Sequence, residues 1–252
     1  MEPLHLFLLL FVSLRRSFAQ EGQWLVHTWE KTSLLSPYTA PPDLERKVFV
    51  FPESSNTSHV VLKATSRERL TSFTVCLRSY TDMTRAHTLF SYATETSDNE
   101  IVVFKSKPSE YSLYVGGQDV LFLFPERLTS KPSWEHICMS WDSDTGLVEF
   151  RLDGQPLPRN GLMKGHAVSA EAFIVLGQDQ DSFGGSFDIN QSFVGELTDV
   201  YMWDRVLSGD EMCHVWSKQV PSNPIINWRA LNYEIRGYIV PKPSLFSVCK
   251  AG

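Results

Sequence analysis

The sequence predicts an all-β protein, a sandwich or a barrel, with one short helix. Short runs of β-branched and aromatic residues, bounded by turn residues, recur at intervals of tens of residues or less. Between these runs there is almost no helical periodicity. Strands of this kind bury one face each, so a layered or closed arrangement of strands is expected.

The individual strands follow in order along the chain. Residues 147–152 alternate, with Val148 and Phe150 on the face opposite Glu149, and the pair Asp153-Gly154 predicts the turn that closes this strand. The other runs that we assign as strands are 47–51, 73–77, 101–104 and 172–176.

One segment has helical spacing. Ser208 and Glu211 fit a capping box, in which each side chain bonds the other residue's backbone amide. Met212, Val215 and Trp216 follow at helical intervals. We therefore predict a single short helix packed on the sandwich.

The N-terminus resembles a signal peptide. Residues 4–14 are almost all apolar, and Ser17-Phe18-Ala19 is a small-x-small cleavage pattern, although a basic first region is missing. We assign 1–19 as the signal peptide and 20–43, which contains three prolines, as an irregular arm. No later run approaches the roughly 20 apolar residues of a membrane span. A secreted, extracellular protein without a transmembrane segment is expected.

Charge and motif content exclude several classes of function. The net charge of −6 argues against a nucleic-acid partner, which requires a basic stripe. Four cysteines in a secreted chain suggest two disulfides with three possible pairings, and without a CxxC pair a zinc site is not expected. His136 and Ser140 share a strand face without an orienting acid, so they indicate strand packing rather than catalysis. No enzymatic activity is expected.

Residues 177–191 form the most informative stretch. The segment carries Asp179, Asp181 and Asp188, several side-chain amides and two adjacent glycines. Such hard oxygen donors on a turning loop suit Ca²⁺. The EF-hand template fails, because Phe183 and Asn190 occupy its fifth and twelfth positions. A solvated acidic turn between strands is the alternative interpretation.

Two further motifs resemble the pentraxin family. Residues 136–141 (HICMSW) match its His-x-Cys-x-Ser-Trp pattern, and 98–104 (DNEIVVF) resemble its first calcium segment. The loop at 177–191 then resembles its second calcium segment. The likeness covers 44–246 as one pentraxin domain, before a tail at 247–252. The chain resembles short pentraxins of the C-reactive protein and serum amyloid P type, and it leans toward amyloid P.

The resemblance implies a two-sheet antiparallel jelly-roll sandwich, assembled into a flat homo-oligomeric ring, commonly a pentamer. It also implies two Ca²⁺ ions per subunit on one face. Asp179 stands where the family usually has Glu, so the affinity for the second ion is the property most open to change. The implied metal ligands are Asp98, Asn99, Asp179, the main-chain carbonyl of Gln180, Asp181, Asp188 and Gln191.

The resemblance also implies a head-group pocket lined by Val102, Phe104, Tyr114 and Asp119. Tyr114 replaces a small residue, which predicts a narrower pocket that favours phosphoethanolamine or anionic sugars over phosphocholine. The expected function is calcium-dependent, lectin-like pattern recognition in innate immunity. The targets would be microbial or damaged-cell surfaces, and complement or Fc receptors would bind the opposite face.

Cysteines and sequons complete the expectations. The resemblance implies a Cys76–Cys138 disulfide. Cys213 and Cys249 are extra, and a second intrachain disulfide is the first hypothesis, with interchain pairing or free thiols as alternatives. Asn56 is the candidate glycosylation site. The sequon at Asn190 is expected to stay unmodified if the protein binds calcium.

Two other functions stay open at this point. A structural or adhesive pentraxin-fold protein that has lost calcium-dependent binding would fit the shortened Asp179 and the added arm. An acidic cluster used for metal-assisted hydrolysis would also need a general base or nucleophile, and the sequence offers none.

Overall fold

Two antiparallel sheets with a shared apolar core make up the computed structural model, which describes residues 43–64, 68–125 and 132–245. The predicted signal peptide, nearly all of the predicted arm, and Cys249 with the C-terminal tail lie outside the described residues.

The element bounds are as follows. The first half of the chain contains β1 (Lys47–Phe51), β2 (His59–Leu62), β3 (Ser72–Tyr80), β4 (His87–Thr94), β5 (Ser97–Lys107), β6 (Glu110–Val115) and β7 (Gln118–Leu123). The second half contains β8 (Glu135–Asp142), β9 (Leu147–Leu152), β10 (Gln155–Pro156), β11 (Asn160–Gly161), β12 (Phe173–Leu176), β13 (Gly195–Trp203), helix α1 (Gly209–Trp216), β14 (Ile226–Asn227), β15 (Tyr233–Arg236) and β16 (Val240–Pro243). Short 3-10 helices span Ile189–Gln191 and Trp228–Ala230.

Each strand belongs to only one of the two sheets. The first sheet runs β10-β9-β8-β3-β13-β1-β16, with β11 paired to β9 and β14 to β13. The second sheet runs β15-β2-β12-β4-β5-β6-β7. Neighbours in the order are mostly distant in sequence, as in Greek-key arrangements of strands. The all-β jelly-roll sandwich with one short helix is therefore confirmed.

The core lies between the sheets and is rich in aromatic side chains. Trp141, Trp203 and Trp228 are completely buried. The indole nitrogen of Trp141 donates to the carbonyl of Leu162 (2.9 Å), so its one polar atom has a partner. Trp134 is half-buried and stacks on Tyr80 instead.

The predicted strands all occur. The runs at 47–51 and 147–152 coincide with β1 and β9, and the other three lie within or largely within β3, β5 and β12. Asp153 and Gly154 both have positive φ, 50° and 78°, which is the backbone of a tight hairpin turn. The turn between β9 and β10 is thereby confirmed.

Helix α1 begins with the predicted capping box. Ser208 Oγ accepts a bond from the Glu211 amide, and the Glu211 carboxylate accepts one from the Ser208 amide. Met212 and Val215 are buried, whereas Trp216 is 45% exposed and does not belong to the packed side. Leu207, just before the helix, donates to Thr74 Oγ1 (2.9 Å), which ties the helix to the first sheet.

The disulfide implied by the family resemblance is present. Cys76 and Cys138 are direct cross-strand partners on β3 and β8 and are bonded to each other. On the same strand, His136 and Ser140 are almost completely buried, and burial and then Arg78 lower the pKa of His136 to about 3. A neutral, buried imidazole supports the prediction of strand packing.

Removing the disulfide with the pair Cys76→Ala and Cys138→Ala should lower the free energy of unfolding by about 4 kcal/mol. The reason is that the bond closes a loop of 62 residues and restricts the unfolded chain. Urea denaturation of the variant and of reduced wild-type protein measures this. A loss under about 1 kcal/mol would contradict the expectation.

Candidate functional site

The outer face of the second sheet carries the predicted head-group residues. In β5, Ile101 and Val103 belong to the core, so Val102 and Phe104 point to the other side. Val102 pairs with Tyr114 on β6, and Tyr114 pairs with Asp119 on β7. The four predicted pocket residues therefore share one face.

The loop between β12 and β13, residues 177–194, begins with a forced turn at Gly177. This residue has φ of +82°, and a Cβ there would lie 2.3 Å from Cε1 of Phe51. Only glycine combines this backbone conformation with such close packing. The chain is thereby redirected out of the core at the end of β12.

The Gln180 side chain holds the loop against the outer face. Its Nε2 donates to the Phe173 carbonyl (2.9 Å) and to Ser91 Oγ (3.1 Å), and its Oε1 accepts from the Gly184 amide (2.9 Å). Ser91 lies between two core residues of β4, so its hydroxyl points outward. Gln180 is completely buried. Its side chain therefore fixes the backbone segment that also contains Asp179 and Asp181.

Two more anchors fix the ends of the loop. Gln178 Nε2 donates to the carbonyl of Ser58 (3.0 Å) in the β1–β2 connection. Arg85, just before β4, donates to the Asn190 carbonyl (2.9 Å) and so holds the 3-10 helix Ile189–Gln191. Both ends of the acidic segment are thus tied to neighbouring connections of the fold.

The four predicted carboxylates affect one another electrostatically. Burial of Asp179, together with Asp181 and Asp98, raises its pKa from 3.8 to about 7. Partial burial, Asp98 and Asp188 also raise the pKa of Asp181. Like charges are therefore held close together, which is unfavourable without a cation.

Two of the predicted ligands have buried oxygens without hydrogen-bond partners among the described residues. These atoms are Asp179 Oδ1 and Gln191 Oε1. A buried unpaired acceptor costs about 1–3 kcal/mol. Ca²⁺ binds carboxylate, amide and carbonyl oxygens, so this donor set fits calcium.

Two of the other three carboxylates, Asp98 and Asp188, have internal partners. Asp98 Oδ1 accepts from the Asn99 amide (2.9 Å), and Asp188 Oδ1 accepts from the backbone and side-chain nitrogens of Asn190 (2.9 Å each). Across the described ranges, no three or more His, Cys, Asp or Glu side chains are grouped to hold a metal by themselves. Any calcium shell here must also use amide and main-chain oxygens.

The head-group residues differ in how far they reach the surface. Tyr114 and Phe104 are half-buried and meet edge to face, with ring centroids 6.3 Å apart. Burial, and then the charges of Asp119 and Asp179, raise the pKa of Tyr114. Val102 is completely buried, so it offers no exposed surface to a ligand, whereas Asp119 is exposed.

Sequence reasoning missed the anchoring roles of Gln178, Gln180 and Arg85. A signal was available, because amides and acids alternate over 178–181. The two amides are at most 1% exposed, whereas Asp181 is exposed and Asp179 is 7% exposed. A period of two places alternate side chains on opposite sides of an extended chain. Arg85 carries no comparable signal.

The glycosylation site and the second disulfide remain predictions. Asn56 is exposed in the β1–β2 connection. The Asn190 side-chain nitrogen, which would carry a glycan, instead donates to Asp188. Cys213 has no disulfide partner within the described residues, and Cys249 lies outside them. The pairing of these two cysteines therefore stays a hypothesis.

Comparison with known proteins defines the class. Residues 47–243 match the Pentaxin family, so the chain belongs to the pentraxins, which are binding proteins and not enzymes. It is 48% identical to human serum amyloid P-component over 213 residues, covering 84% of this chain and 93% of that protein. It is 50% identical to human C-reactive protein over 206 residues, covering 81% and 91%.

A solved structure supports the fold independently. The heptameric SAP-like pentraxin of Limulus polyphemus superposes with a TM-score of 0.73 at 25% identity, over 81% of this chain and 97% of that one.

In the part of the chain that the structure describes, no helix is long and apolar enough to cross a bilayer.

Replacing Asp179 by Asn should stabilise the calcium-free protein at pH 8 by roughly 4 kcal/mol. The folded-state pKa of about 7 lies above the ordinary value of 3.8. Below pH 4 both states hold the proton; between pH 4 and 7 only the folded state does. The stability that this group contributes is therefore lost progressively as the pH rises from 4 to 7, and the loss is complete above the folded-state pKa.

Urea denaturation of wild-type and Asp179→Asn protein in EGTA, from pH 4 to 8, tests this. Subtracting the free energy of unfolding of the wild type from that of the variant at each pH cancels the contributions of the other titratable groups. The exposed residue Asp144, in the β8–β9 turn, supplies a control, Asp144→Asn. An Asp179→Asn difference that stays constant with pH would show that this carboxyl is not perturbed.

Proposed function

We propose that this protein is a secreted, calcium-dependent pattern-recognition pentraxin that binds phosphorylated or anionic head groups through a site for two Ca²⁺ ions. The observation that carries the proposal is the pair of buried oxygens, Asp179 Oδ1 and Gln191 Oε1, which have no hydrogen-bond partner among the described residues and belong to an acidic loop whose Asp179 also feels the charge of Asp98. A hard cation with oxygen ligands meets the needs of both atoms.

The residues that would hold the ions come from two elements. Asp98 and Asn99 lie among the first, turn-proximal residues of β5, after Ser97, and the loop would supply Asp179, the Gln180 carbonyl, Asp181, Asp188 and Gln191. Bound calcium would supply positive charge and open coordination positions for phosphate oxygens. The Gln180 side chain keeps the main chain of the loop in place, so the donors are held before binding and little order has to be gained.

Side chains of β5, β6 and β7 would select among the head groups. Phe104 offers an aromatic surface to an ammonium group, which contributes about 0.5–2 kcal/mol. Tyr114 occupies space beside it, and the exposed carboxylate of Asp119 attracts the cation. A primary ammonium is smaller than a trimethylated one and donates hydrogen bonds. Phosphoethanolamine is therefore the expected preference.

Assembly would strengthen weak single contacts. The Limulus relative is described as a heptamer, and we infer a ring oligomer here, with a pentamer as the expected size. Several sites that engage one surface raise the overall affinity by orders of magnitude. The Cys76–Cys138 disulfide and the predicted signal peptide support an extracellular location. Complement or Fc receptors are the inferred partners of the opposite face.

The secreted protein should bind immobilised phosphoethanolamine in millimolar Ca²⁺ and dissociate in EGTA. Asp98→Asn should weaken this binding at least tenfold, because a carboxylate ligand becomes a neutral amide. Asp144→Asn should bind as wild type. Surface plasmon resonance with a calcium titration measures both. Calcium-independent binding, or none by folded wild-type protein, would favour a pentraxin-fold adhesive protein that has lost its metal site.

Replacing Tyr114 by Ala should shift head-group preference toward phosphocholine. Removal of the ring opens space beside Phe104 for the three methyl groups. Competition of each soluble head group against immobilised phosphoethanolamine should show a several-fold gain for phosphocholine relative to wild type. Phe104→Ala serves as the counterpart and should weaken both ligands. Equal or tighter phosphocholine binding by wild type would contradict the account.

A further inference from the structure

A buried carboxylate directly follows the first proposed metal segment. Glu100 comes after Asp98 and Asn99 in β5 and is only 3% exposed. Its Oε1 lies 2.9 Å from Nε2 of His166, in the connection between β11 and β12. Burying a carboxylate is costly unless it has a partner, and His166 supplies one. The Glu100 side chain is therefore used for a contact within the protein.

Several contacts hold His166 in place. Its backbone nitrogen donates to the Met163 carbonyl (3.1 Å), and its carbonyl accepts from Ser143 Oγ. Its ring lies beside Trp141, with ring centroids 6.3 Å apart. Because an ionised carboxylate only accepts hydrogen bonds, Nε2 carries the hydrogen and donates to Glu100. The donor is thus fixed by β8 and the turn that follows β8, in the other sheet.

The β6–β7 turn holds the backbone of the same segment. The Gly117 amide donates to the Asn99 carbonyl (2.9 Å). The Gly116 amide donates to the Glu100 carbonyl (3.0 Å). Gly116 has φ of +57°, and a Cβ there would lie 3.0 Å from His166 Nε2, so glycine is required for this close approach. The start of β5 is therefore held both through its backbone and through the Glu100 side chain.

We propose that Glu100 and His166 are positioning residues for calcium. Their hydrogen bond fixes the start of β5, and with it Asp98 and Asn99, although neither of the two residues contacts the ion. The proposal rests on the proposed function, because it concerns metal ligands assigned there. Removing a partner of this kind, one step away from the metal, commonly lowers metal affinity about 10–100-fold.

A second buried pair in β5 offers a comparison. Lys105 Nζ lies 2.6 Å from Glu135 Oε2, and the two side chains are 4% and 17% exposed. Both pairs join β5 to a residue of another element, and both bury a carboxylate. Only the pair of Glu100 and His166 adjoins the proposed ligands. Breaking either pair should lower the stability of the fold, whereas only the first should change the affinity for calcium.

Isothermal titration of the secreted protein with calcium chloride measures that affinity. Glu100→Leu removes the acceptor, Glu100→Gln keeps an acceptor oxygen, and His166→Phe keeps a ring but removes the donor. The double variant, Glu100→Leu with His166→Phe, completes a double-mutant cycle. The matched control is Glu135→Leu, which makes the same substitution in the other buried pair.

Glu100→Leu and His166→Phe should each weaken calcium binding about tenfold, whereas Glu100→Gln should stay within about twofold of wild type. Glu135→Leu should bind calcium as wild type does. The double variant should lose no more than either single variant, because both changes remove the same hydrogen bond. The two single variants break that bond from opposite ends, so either one decides the question if the other does not fold.

Three results would overturn the proposal. The first is wild-type affinity in the single variants that fold, and the second is additive losses in the double variant. The third is an equal loss in Glu100→Gln, which would assign the effect to the charge of Glu100 and not to its hydrogen bond.

A measurement without calcium separates this proposal from the proposed function. In EGTA, hydrogen–deuterium exchange of His166→Phe should be faster at the Gly116 and Gly117 amides, because the segment that accepts their hydrogen bonds is released. The 177–191 loop, which Gln180 anchors, should exchange as in wild type. Unchanged exchange at the turn would contradict the positioning role. Absence of calcium binding by folded wild-type protein would instead contradict the proposed function, whereas faster exchange would still show that the pair holds the segment.

Discussion

The hydrogen bonds of one buried amide hold the proposed site together. Gln180 joins the acidic loop to β4 and β12, through Ser91 and Phe173, and closes the turn at Gly184. Without this anchor, repulsion between Asp179, Asp181 and their neighbours would push the loop from the sheet. The loop covers the outer face, and the positions of the proposed metal ligands and of the proposed head-group pocket depend on where it lies.

The Gln180 anchor also keeps the Asp179 carboxylate inside the protein, although its burial is unfavourable. Asp179 is only 7% exposed, and one of its oxygens has no partner among the described residues. The free energy lost by burying a charged carboxylate has to be offset by the core and the disulfide. Such a cost is common at functional sites, where donors are held ready for a ligand. Calcium binding would convert this cost into affinity.

Much of the fold could be predicted from the sequence, because alternation and capping are local signals. The strand at 147–152, its turn and the capping box of α1 each follow from a few neighbouring residues. The placement of the loop could not be predicted from the sequence, because Ser91 and Phe173, the partners of Gln180, lie 89 and 7 residues away along the chain. The contact between Glu100 and His166 was missed as well, since the two residues lie 66 residues apart along the chain.

The central claim is that the acidic loop and the start of β5 form one calcium site. A crystal structure of the protein grown in calcium, with anomalous difference maps recorded at long wavelength, tests it most directly. The account predicts peaks in contact with Asp179 Oδ1 and Gln191 Oε1 and within ligand distance of Asp98. Absence of anomalous density there at saturating calcium, in a well-ordered loop, would contradict it.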